Sequence, residues 1–543
     1  MRRQLVIGQL KDTARLMELA GENFYKIRAY NNATMALLKL DADFEELVKE
    51  NRLREIPGVG AGIEQAILEI LTNGTTEVYA QLAEKIPSGL VELFAIPGLG
   101  TKRIRRLYDT LEITSLGELE YACQENRLLV LEGFGPKSQA DILAGIETLK
   151  RYQESFLYPQ ALHAADQLRE MIEASSKASV MISGGLRRGL ETINVIELLI
   201  SGVSPEALGD LAEQSAAGIP VNLHFSSPER WGTDLILTTG SEAHLEYLHT
   251  LTADGKLPIA AQEEDCYAAL GLPPLPPELR EGLFETSAPN LPRLLKDLIE
   301  EEDLRGVFHN HSEYSDGTAT LKQIAEHGRT LGYRYIGIAD HSQSARYAGG
   351  LTPDDLRRQM EEIDRINAQY DDFTLLKGLE VDILSDGSLD CHDELLSELD
   401  YVVASVHSAF KMSEKEMTER IIKAVSNPYV TMLGHPTGRL LLARERYAVN
   451  LDAVIEACRR CDVALEINAN PQRLDLDWRW ANKAYQAGVL LAINPDAHSL
   501  PGYDHTRYGV NMARKAALPK QAVLNTWKLS DLLRKFRGTK CGT

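Results

Sequence analysis

Short apolar runs recur along residues 301–543, about every 30 residues, with amphipathic stretches between them. YIGIAD (335–340), LLKGLEV (375–381) and VALEIN (463–468) are examples. Runs of this length predict buried strands, and the longer amphipathic stretches predict helices. Strands that alternate with helices indicate a parallel sheet, and seven such runs predict a distorted (β/α)7 barrel of the TIM type.

Most of these runs end in His, Asp or Glu, whereas VALEIN ends without an obvious ligand. The carboxyl ends of barrel strands meet at one mouth, so these side chains are expected to converge there. Imidazoles and carboxylates without thiolates suit Zn²⁺, Mn²⁺ or Fe²⁺, and the donors outnumber what one ion can use, so we expect two or three divalent ions. The predicted metal ligands are His309, His311, Asp316, His341, Glu380, His407, His435, Asp496 and His498.

The motifs around these donors resemble those of the PHP (polymerase and histidinol phosphatase) family of metal-dependent phosphoesterases. They are H-x-H at 309–311, S-D-G at 315–317, D-H at 340–341, E-V-D at 380–382, S-V-H at 405–407, G-H-P at 434–436 and D-A-H at 496–498. The resemblance implies a three-ion site that holds Mn²⁺ or Zn²⁺, with Fe²⁺ as a further option. Its implied ligand sets are His309, His311, Glu380 and Asp496; Glu380, His407 and His435; and Asp316, His341 and His498.

The same resemblance implies hydrolysis of phosphate esters by metal-activated water. Bound ions lower the pKa of water, and the resulting hydroxide attacks phosphorus while another ion stabilises the leaving 3′ oxygen. Two arginines that closely follow ligands could bind phosphate through paired N–H donors. The residues expected to act in catalysis are His309, His311, Glu380, Asp496, Arg346 and Arg439.

Residues 1–150 contain three G-x-G turns, each between two amphipathic helical stretches, and these resemble helix-hairpin-helix units. Glycine permits a tight turn and close approach of the backbone. The N–H groups that open the second helix then face a phosphate, and no base sequence is read. The residues expected to contact DNA are Gly58, Gly60, Gly98, Gly100, Lys102, Arg103, Gly133 and Gly135.

The middle of the chain resembles family X DNA polymerases. FYKIRAYNNATMALLKL (24–40) is similar to their N-terminal domain, SGGLRRG (183–189) to their palm motif and LILTTGS (235–241) to their nucleotide pocket. PPLPPELREGLFE (273–285) resembles the linker that joins this polymerase to a PHP domain in bacteria. The chain is therefore identified as a member of the PolX family over almost its whole length.

The polymerase half departs from that family where its chemistry occurs. Nucleotidyl transfer needs carboxylates that hold two Mg²⁺ ions. The three carboxylate positions of the palm read Val195, Glu197 and Asn222, and the nucleotide-pocket positions read Gly185, Leu237, Thr238 and Leu245. We expect polymerase chemistry to be lost, although Arg187 and Arg188 of the palm motif persist.

The abasic-site lyase of the polymerase family is also expected to be absent. That activity forms a Schiff base through a Lys side chain. The Lys positions of the family after the first G-x-G read Gly62 and Ala66, and no Lys occurs between Lys49 and Lys85. The N-terminal region is therefore expected to bind DNA without lyase chemistry.

Composition agrees with a multidomain protein of the cytoplasm. At 543 residues, the chain is long enough for several domains with their own cores. No run approaches the roughly 18 apolar residues of a membrane span, and the N-terminus has no signal core, so we expect no membrane contact. The formal net charge of −21 argues against a broadly basic nucleic-acid binder, so DNA contacts are expected from local backbone geometry.

The predicted order of domains follows from these motifs. It is an α-helical N-terminal domain (1–85), a second hairpin domain (86–152), a degenerate α+β palm-like nucleotidyltransferase region (153–257), a linker (258–300) and the PHP barrel (301–543). The predicted function is metal-dependent processing of DNA 3′ ends in repair, by 3′-5′ exonuclease, 3′-phosphatase or abasic-end cleavage. DNA is the expected partner, and a repair polymerase or ligase is a further candidate.

Three other functions are compatible with these motifs. A small-molecule phosphatase of the histidinol-phosphate kind could use the same barrel, but it would not need the hairpins. A non-catalytic repair scaffold would be expected to lose metal ligands, and none is missing. An active polymerase would have to work with Glu197 and a neighbouring carboxylate such as Glu191.

Overall fold

The computed structural model describes residues 2–40, 44–50, 52–87, 89–124, 127–208, 216–283 and 291–537. The chain divides into two compact units, one of residues 1–154 and one of residues 155–543. Among the described residues, no helix is both long enough and apolar enough to span a membrane.

The first unit is entirely helical in its described part. Its helices are α1 (Arg2–Ala20), α2 (Phe24–Leu38), α3 (Phe44–Lys49), α4 (Ala61–Asn73), α5 (Glu77–Ala83), α6 (Gly89–Glu92), α7 (Thr101–Leu111), α8 (Leu116–Gln124) and α9 (Pro136–Gln153). Apolar side chains of the two predicted N-terminal domains lie in one continuous core, which includes Leu53, Ile67, Ile104 and Ile142.

The three predicted hairpins have nearly identical turns. Gly58, Gly98 and Gly133 have φ angles of +89°, +84° and +85°, a left-handed conformation that favours glycine. In each hairpin a short 3-10 turn precedes the glycine, and a longer helix (α4, α7 or α9) follows it. The structure therefore confirms a helix-hairpin-helix region at the N-terminus.

The second unit begins with a small mixed α/β region. Its elements are β1 (Phe156–Leu157), α10 (Tyr158–Ser175), β2 (Ser179–Ser183), α11 (Gly184–Arg187), β3 (Thr192–Ile193), β4 (Ile196–Ser201), α12 (Pro205–Leu208), β5 (Val221–Ser226), α13 (Trp231–Thr239), α14 (Glu242–Thr250) and α15 (Glu263–Ala269). Strands β2, β4 and β5 form a sheet in that order, in which β2–β4 is antiparallel and β4–β5 is parallel.

Much of the segment predicted as a linker packs onto this region. Tyr267 and Leu279 are buried in one core with Ile236 of α13. Residues 284–290 of the predicted linker lie outside the described residues. We propose that the palm-like region extends to residue 283, beyond the boundary that the sequence predicted.

The barrel follows the predicted alternation of strands and helices. Its elements are α16 (Leu291–Asp297), β6 (Gly306–Val307), α17 (Leu321–Thr330), β7 (Tyr335–Ile338), α18 (Pro353–Asn367), β8 (Thr374–Asp382), α19 (Asp393–Leu396), β9 (Tyr401–Ser405), α20 (Glu414–Val425), β10 (Met432–Leu433), α21 (Leu451–Cys461), β11 (Ala464–Asn468), α22 (Trp478–Gln486), β12 (Leu491–Asn494), α23 (Thr506–Lys515) and α24 (Leu529–Phe536). The seven strands from β6 to β12 pair in chain order and are all parallel.

The barrel is nearly closed between its first and last strands. Asn310 and Ala497 form a parallel bridge just beyond the ends of β6 and β12, and the backbone N–H of His311 donates to Ala497 O at 2.9 Å. Strands such as β7 and β9 are buried along their whole length, as expected for a parallel sheet covered by helices. The predicted fold class is confirmed.

Candidate metal centre

All of the predicted metal donors lie at the same mouth of the barrel, at or just after the carboxyl ends of the strands. His309, His311 and Asp316 follow β6, His341 follows β7, Glu380 lies on β8, His407 follows β9, His435 follows β10, and Asp496 and His498 follow β12. The barrel thus brings together residues that are up to 189 positions apart in the sequence (498 − 309 = 189).

Glu380 lies at the centre of this cluster. Its Oε1 is 3.1 Å from Nε2 of His309, 3.0 Å from Nε2 of His435 and 3.3 Å from Nε2 of His407. Its Oε2 is 2.9 Å from Nδ1 of His341. The two oxygens therefore face different groups of imidazoles, as a carboxylate that bridges two ions would.

Four overlapping groups of donors are compact enough to hold an ion. In each group, one donor atom per residue lies within 4.8 Å of the others. The groups are His311, Asp316, His341 and His498; His309, Glu380 and His435; His309, His311 and Asp496; and His341, Glu380 and His407. Every predicted ligand belongs to at least one group, although the groups do not coincide with the three implied ligand sets.

The donors are held in a form that suits metal binding. Nδ1 of His311 and Nδ1 of His435 are buried and make no hydrogen bond to any described residue. A buried polar atom without a partner is costly, and a bound cation would satisfy both nitrogens. The nitrogen and oxygen donors fit Zn²⁺, Mn²⁺ or Fe²⁺.

Charge within the cluster is strongly coupled. Burial would raise the pKa of Glu380, but the imidazoles of His309, His407 and His341 outweigh it and hold that pKa well below its usual value. Burial would lower the pKa of His341 and of His407, but the Glu380 carboxylate prevails and raises these pKa values to about 10 and about 9. Without metal, both imidazoles are therefore protonated at neutral pH.

Metal loading is consequently expected to release protons. Against the effect of burial, neighbouring carboxylates also raise the pKa of His498 to about 9 and that of His309 well above its usual value. At pH 8 these two imidazoles, like those of His341 and His407, carry protons that a metal ion must displace, so apparent affinity should rise with pH up to about 10. We expect two or three ions per chain by elemental analysis, and release of about four protons during titration in a weakly buffered solution. His341→Gln should release about one proton fewer. Fewer than one ion per chain after reconstitution with Mn²⁺ or Zn²⁺ would contradict this prediction.

A second layer of carboxylates orients the donors. Nδ1 of His309 donates to Glu466 at 2.6 Å, and Nδ1 of His407 donates to Asp382 at 2.6 Å. Such contacts fix the tautomer and orientation of a ligating imidazole. Glu466 lies within VALEIN, and its other oxygen accepts from the backbone N–H of His435 at 2.6 Å. The one run that ended without an obvious ligand thus supports two neighbouring ligands.

The backbone is strained at three of the predicted ligands. His309, His435 and Asp496 have φ angles of 54°, 24° and 51°, in the left-handed region that side chains with a Cβ rarely adopt. Each such residue costs about 1–3 kcal/mol and persists only where its surroundings impose it. Strain concentrated at the mouth of the barrel is typical of a functional site.

The arginines around the mouth differ in their contacts. Arg439 donates to the carbonyl of Arg473 at 2.9 Å and to that of Leu474, so two of its donors hold the backbone of the next loop. Arg346 lies in an exposed turn. Arg473, which the sequence did not single out, has its Nε 3.6 Å from Oδ2 of Asp496.

Comparison with known proteins agrees with this architecture. Residues 1–76 match the helix-hairpin-helix domain, residues 90–148 the SAM-like helix-hairpin-helix tandem, and residues 308–470 the PHP domain. The chain is 34% identical to the DNA polymerase/3′-5′ exonuclease PolX of Bacillus subtilis, over 98% of its own length and 99% of that protein. The chain belongs to the PolX family.

Two further relatives of this PolX chain match about two fifths of its length. A probable phosphatase of Thermoanaerobacter sp. (strain X514) is 28% identical over 40% of the chain and 89% of that protein. A probable phosphatase of Caldanaerobacter subterraneus is 30% identical over 41% of the chain and 88% of that protein.

The predicted palm residues of this PolX protein lie on or next to α11, β4 and β5. Glu197 on β4 lies beside Asn222 on β5, and its Oε1 is 3.5 Å from Nε2 of His224. Arg187 makes two hydrogen bonds to Glu263, at 2.8 and 2.7 Å. Arg188 pairs with Glu281 at 3.0 Å.

Two basic residues predicted to bind DNA in the second PolX hairpin, Lys102 and Arg103, differ in their contacts. Lys102 is exposed on α7. Arg103 donates to the carbonyls of Gly98 and Gly133, and its guanidinium lies 4.9 Å from the ring centre of Phe134. It therefore links the turns of two hairpins.

Proposed function

We propose that this protein removes nucleotides or blocking groups from the 3′ ends of DNA during repair, and that its polymerase chemistry has been lost. The observation that carries the proposal is the convergence of nine predicted metal ligands, with Glu380 at their centre, at one mouth of the barrel. The likeness to a DNA polymerase/3′-5′ exonuclease over the whole chain supports DNA as the substrate. We expect the protein to act in the cytoplasm, with a repair polymerase or ligase as a partner.

Each part of the mouth has a defined task in phosphate-ester hydrolysis. When divalent ions are bound, they lower the pKa of water and neutralise charge on the phosphate. Glu380 holds two groups of imidazoles around its two oxygens. Glu466 and Asp382 keep His309 and His407 in the orientation that metal binding needs.

Arg473 is the arginine best placed to bind the substrate phosphate. Its guanidinium lies next to Asp496. Burial lowers the pKa of His435, and the positive charge of Arg473 lowers it further. A guanidinium offers paired donors that match phosphate oxygens. Arg439 was a candidate for this task, but its hydrogen bonds to the carbonyls of Arg473 and Leu474 suit it better to positioning.

The contacts in the palm-like region support the loss of polymerase chemistry. Glu197 is the one carboxylate among the three expected positions, and one carboxylate is too few to hold two Mg²⁺ ions. The two arginines of the palm motif, Arg187 and Arg188, are paired with Glu263 and Glu281. Their charges are therefore already balanced by protein carboxylates.

The hairpins supply contacts to the DNA backbone in this proposal. Around Gly60, Gly100 and Gly135, the space that a side chain would occupy is open. Each of the three precedes or opens a helix, whose N–H groups can face a phosphate. Binding of this kind has little sequence preference and weakens as salt is added.

The test is metal-dependent digestion of end-labelled oligonucleotides that carry a 3′ hydroxyl, a 3′ phosphate or a cleaved abasic sugar. A ladder of shorter products identifies an exonuclease, and a single shift of the 3′-phosphate substrate identifies a phosphatase. Hydrolysis of 4-nitrophenyl phosphate that is unaffected by added DNA, without digestion of any oligonucleotide, would contradict the proposal. It would favour a small-molecule phosphatase instead.

A hairpin variant tests how the substrate is bound. Gly100→Leu should leave the fold intact, because Gly100 has a negative φ and open space around it. It blocks close approach of a phosphate, so KM for DNA should rise about tenfold with little change in kcat. The matched control is Gly117→Leu, another exposed glycine of the same unit with open space around it. An equal KM for both variants would show that this hairpin does not contact the substrate.

A further inference from the structure

The Arg-Arg-Gly turn of the palm-like region (residues 187–189) packs against helix α23 of the barrel. Lys515 of α23 is fully buried, and its Nζ donates to the carbonyl of Arg188 at 3.2 Å and pairs with Glu281. A Cβ on Gly189, which has a φ of +68°, would lie 2.0 Å from Nδ2 of Asn511 on the same helix. The turn therefore needs glycine because it lies directly against α23.

Directly after this turn, Glu191 reaches the loops at the mouth of the barrel. Its Oε1 lies 3.5 Å from Nη2 of Arg439 and 3.7 Å from Nη1 of Arg479. The side chains of Glu191 and Arg439 are only 12% and 17% exposed, so solvent and salt screen this pair less than a surface pair. The backbone of Glu191 is held as well, because its carbonyl accepts from Tyr158 N at 3.4 Å.

Arg439 connects Glu191 with the metal centre. It lies four residues after the predicted ligand His435, and it donates to the carbonyls of Arg473 and Leu474. Arg473 in turn has its Nε 3.6 Å from Asp496. A continuous series of contacts therefore leads from Glu191 through Arg439 to the backbone and side chain of Arg473.

We propose that Glu191 is a positioning residue of the phosphoesterase: the palm-like region holds Arg439, and through it Arg473, against the metal centre. The inference rests on the proposed function, in which Arg473 binds the substrate phosphate. It gives the palm-like region a task in the phosphoesterase, because the segment that follows its Arg-Arg-Gly turn serves as a brace for the loops of the barrel mouth.

The first test measures the loop itself and needs no substrate. In the full-length protein, Glu191→Gln removes the nearer of two carboxylate charges that face Arg439, the other being Asp477 at 3.9 Å. Amides of residues 470–477 should therefore exchange hydrogen for deuterium several-fold faster. The matched control is Asp234→Asn, which breaks another partly buried ion pair of the palm-like region, with Arg230 at 3.0 Å. Exchange in residues 470–477 that is the same in Glu191→Gln and wild type would overturn the proposal, whatever the substrate of the enzyme.

The second test is a double-mutant cycle on a labelled oligonucleotide. Arg473→Gln should lower kcat/KM by about 10- to 100-fold, and Glu191→Gln by about fivefold. If Glu191 acts through Arg473, Glu191→Gln should have little further effect in the Arg473→Gln protein. Equal losses in both backgrounds would show that Glu191 does not act through Arg473 and would overturn the proposal.

The two tests separate failure of the brace from failure of the proposed function. Normal kcat/KM in Arg473→Gln, with faster exchange in Glu191→Gln, would remove Arg473 from phosphate binding and would overturn the positioning role of Glu191 in the reaction. Faster exchange with no DNA digestion by the wild type would contradict the proposed function and leave the brace supported as a structural contact. Asp234→Asn should digest DNA at the wild-type rate.

Discussion

Replacing Glu380 with Gln is expected to abolish phosphoesterase turnover, with a fall in kcat of about 1000-fold or more. Glu380 is buried, and its two oxygens lie within 3.3 Å of four imidazoles, so Gln would remove the charge that holds both groups of donors. DNA affinity, measured by fluorescence anisotropy, should change little because the hairpins lie in the other compact unit. Metal content should fall together with activity.

Three companion variants show whether the loss is local. Asp316→Asn alters a predicted ligand that is partly exposed, so it carries less risk to folding and should also reduce activity strongly. Glu456→Gln changes an exposed carboxylate of α21 that pairs with Arg459, and it should behave as wild type. Glu466→Gln should lower metal affinity or activity by about 10- to 100-fold, because it releases His309 without removing a ligand. Full activity in Glu380→Gln would refute the proposed centre.

The protein is expected not to extend a primer on a gapped template, with Mg²⁺ or with Mn²⁺. Val195 and Asn222 cannot replace the missing carboxylates, and Glu197 alone cannot bring two ions together. The neighbouring Arg188 donates from Nε to Glu281 and from Nη1 to the carbonyl of Thr239, so two of its donors are already used.

The assay should use the Glu380→Gln protein beside the wild type, so that digestion does not hide synthesis. A family X polymerase with its palm carboxylates intact provides the positive control on the same template. Template-dependent extension that Glu197→Ala abolishes would show that the palm is active.

The metal donors at the strand ends could be predicted from the sequence because most of the apolar runs, which mark buried strands, end in a His, Asp or Glu or are followed closely by one. A His or Asp after an apolar run can be read directly from the sequence, and barrel geometry places all such residues at one mouth. The seven parallel strands and the three hairpins are also confirmed. They could be predicted because the recurrence of apolar runs and the positions of glycines are local properties of the sequence.

The supporting residues were less visible because their partners are distant in the sequence. Glu466 contacts His309 across 157 positions. Its one local signal is a charge inside an apolar strand, which must be compensated because an unpaired buried charge is costly. Arg439 looked like a phosphate ligand because it follows His435 closely, but sequence proximity does not show that its donors bind backbone carbonyls.

The near-identity of the three hairpin turns has a consequence for how the enzyme would move on its substrate. If each turn holds one phosphate weakly, the turns together act as linked tethers, and one can release while the others stay bound. Damage to a single hairpin would then shorten the residence time of the enzyme without preventing encounter. Such a variant would remove fewer nucleotides per encounter and change from processive to distributive digestion.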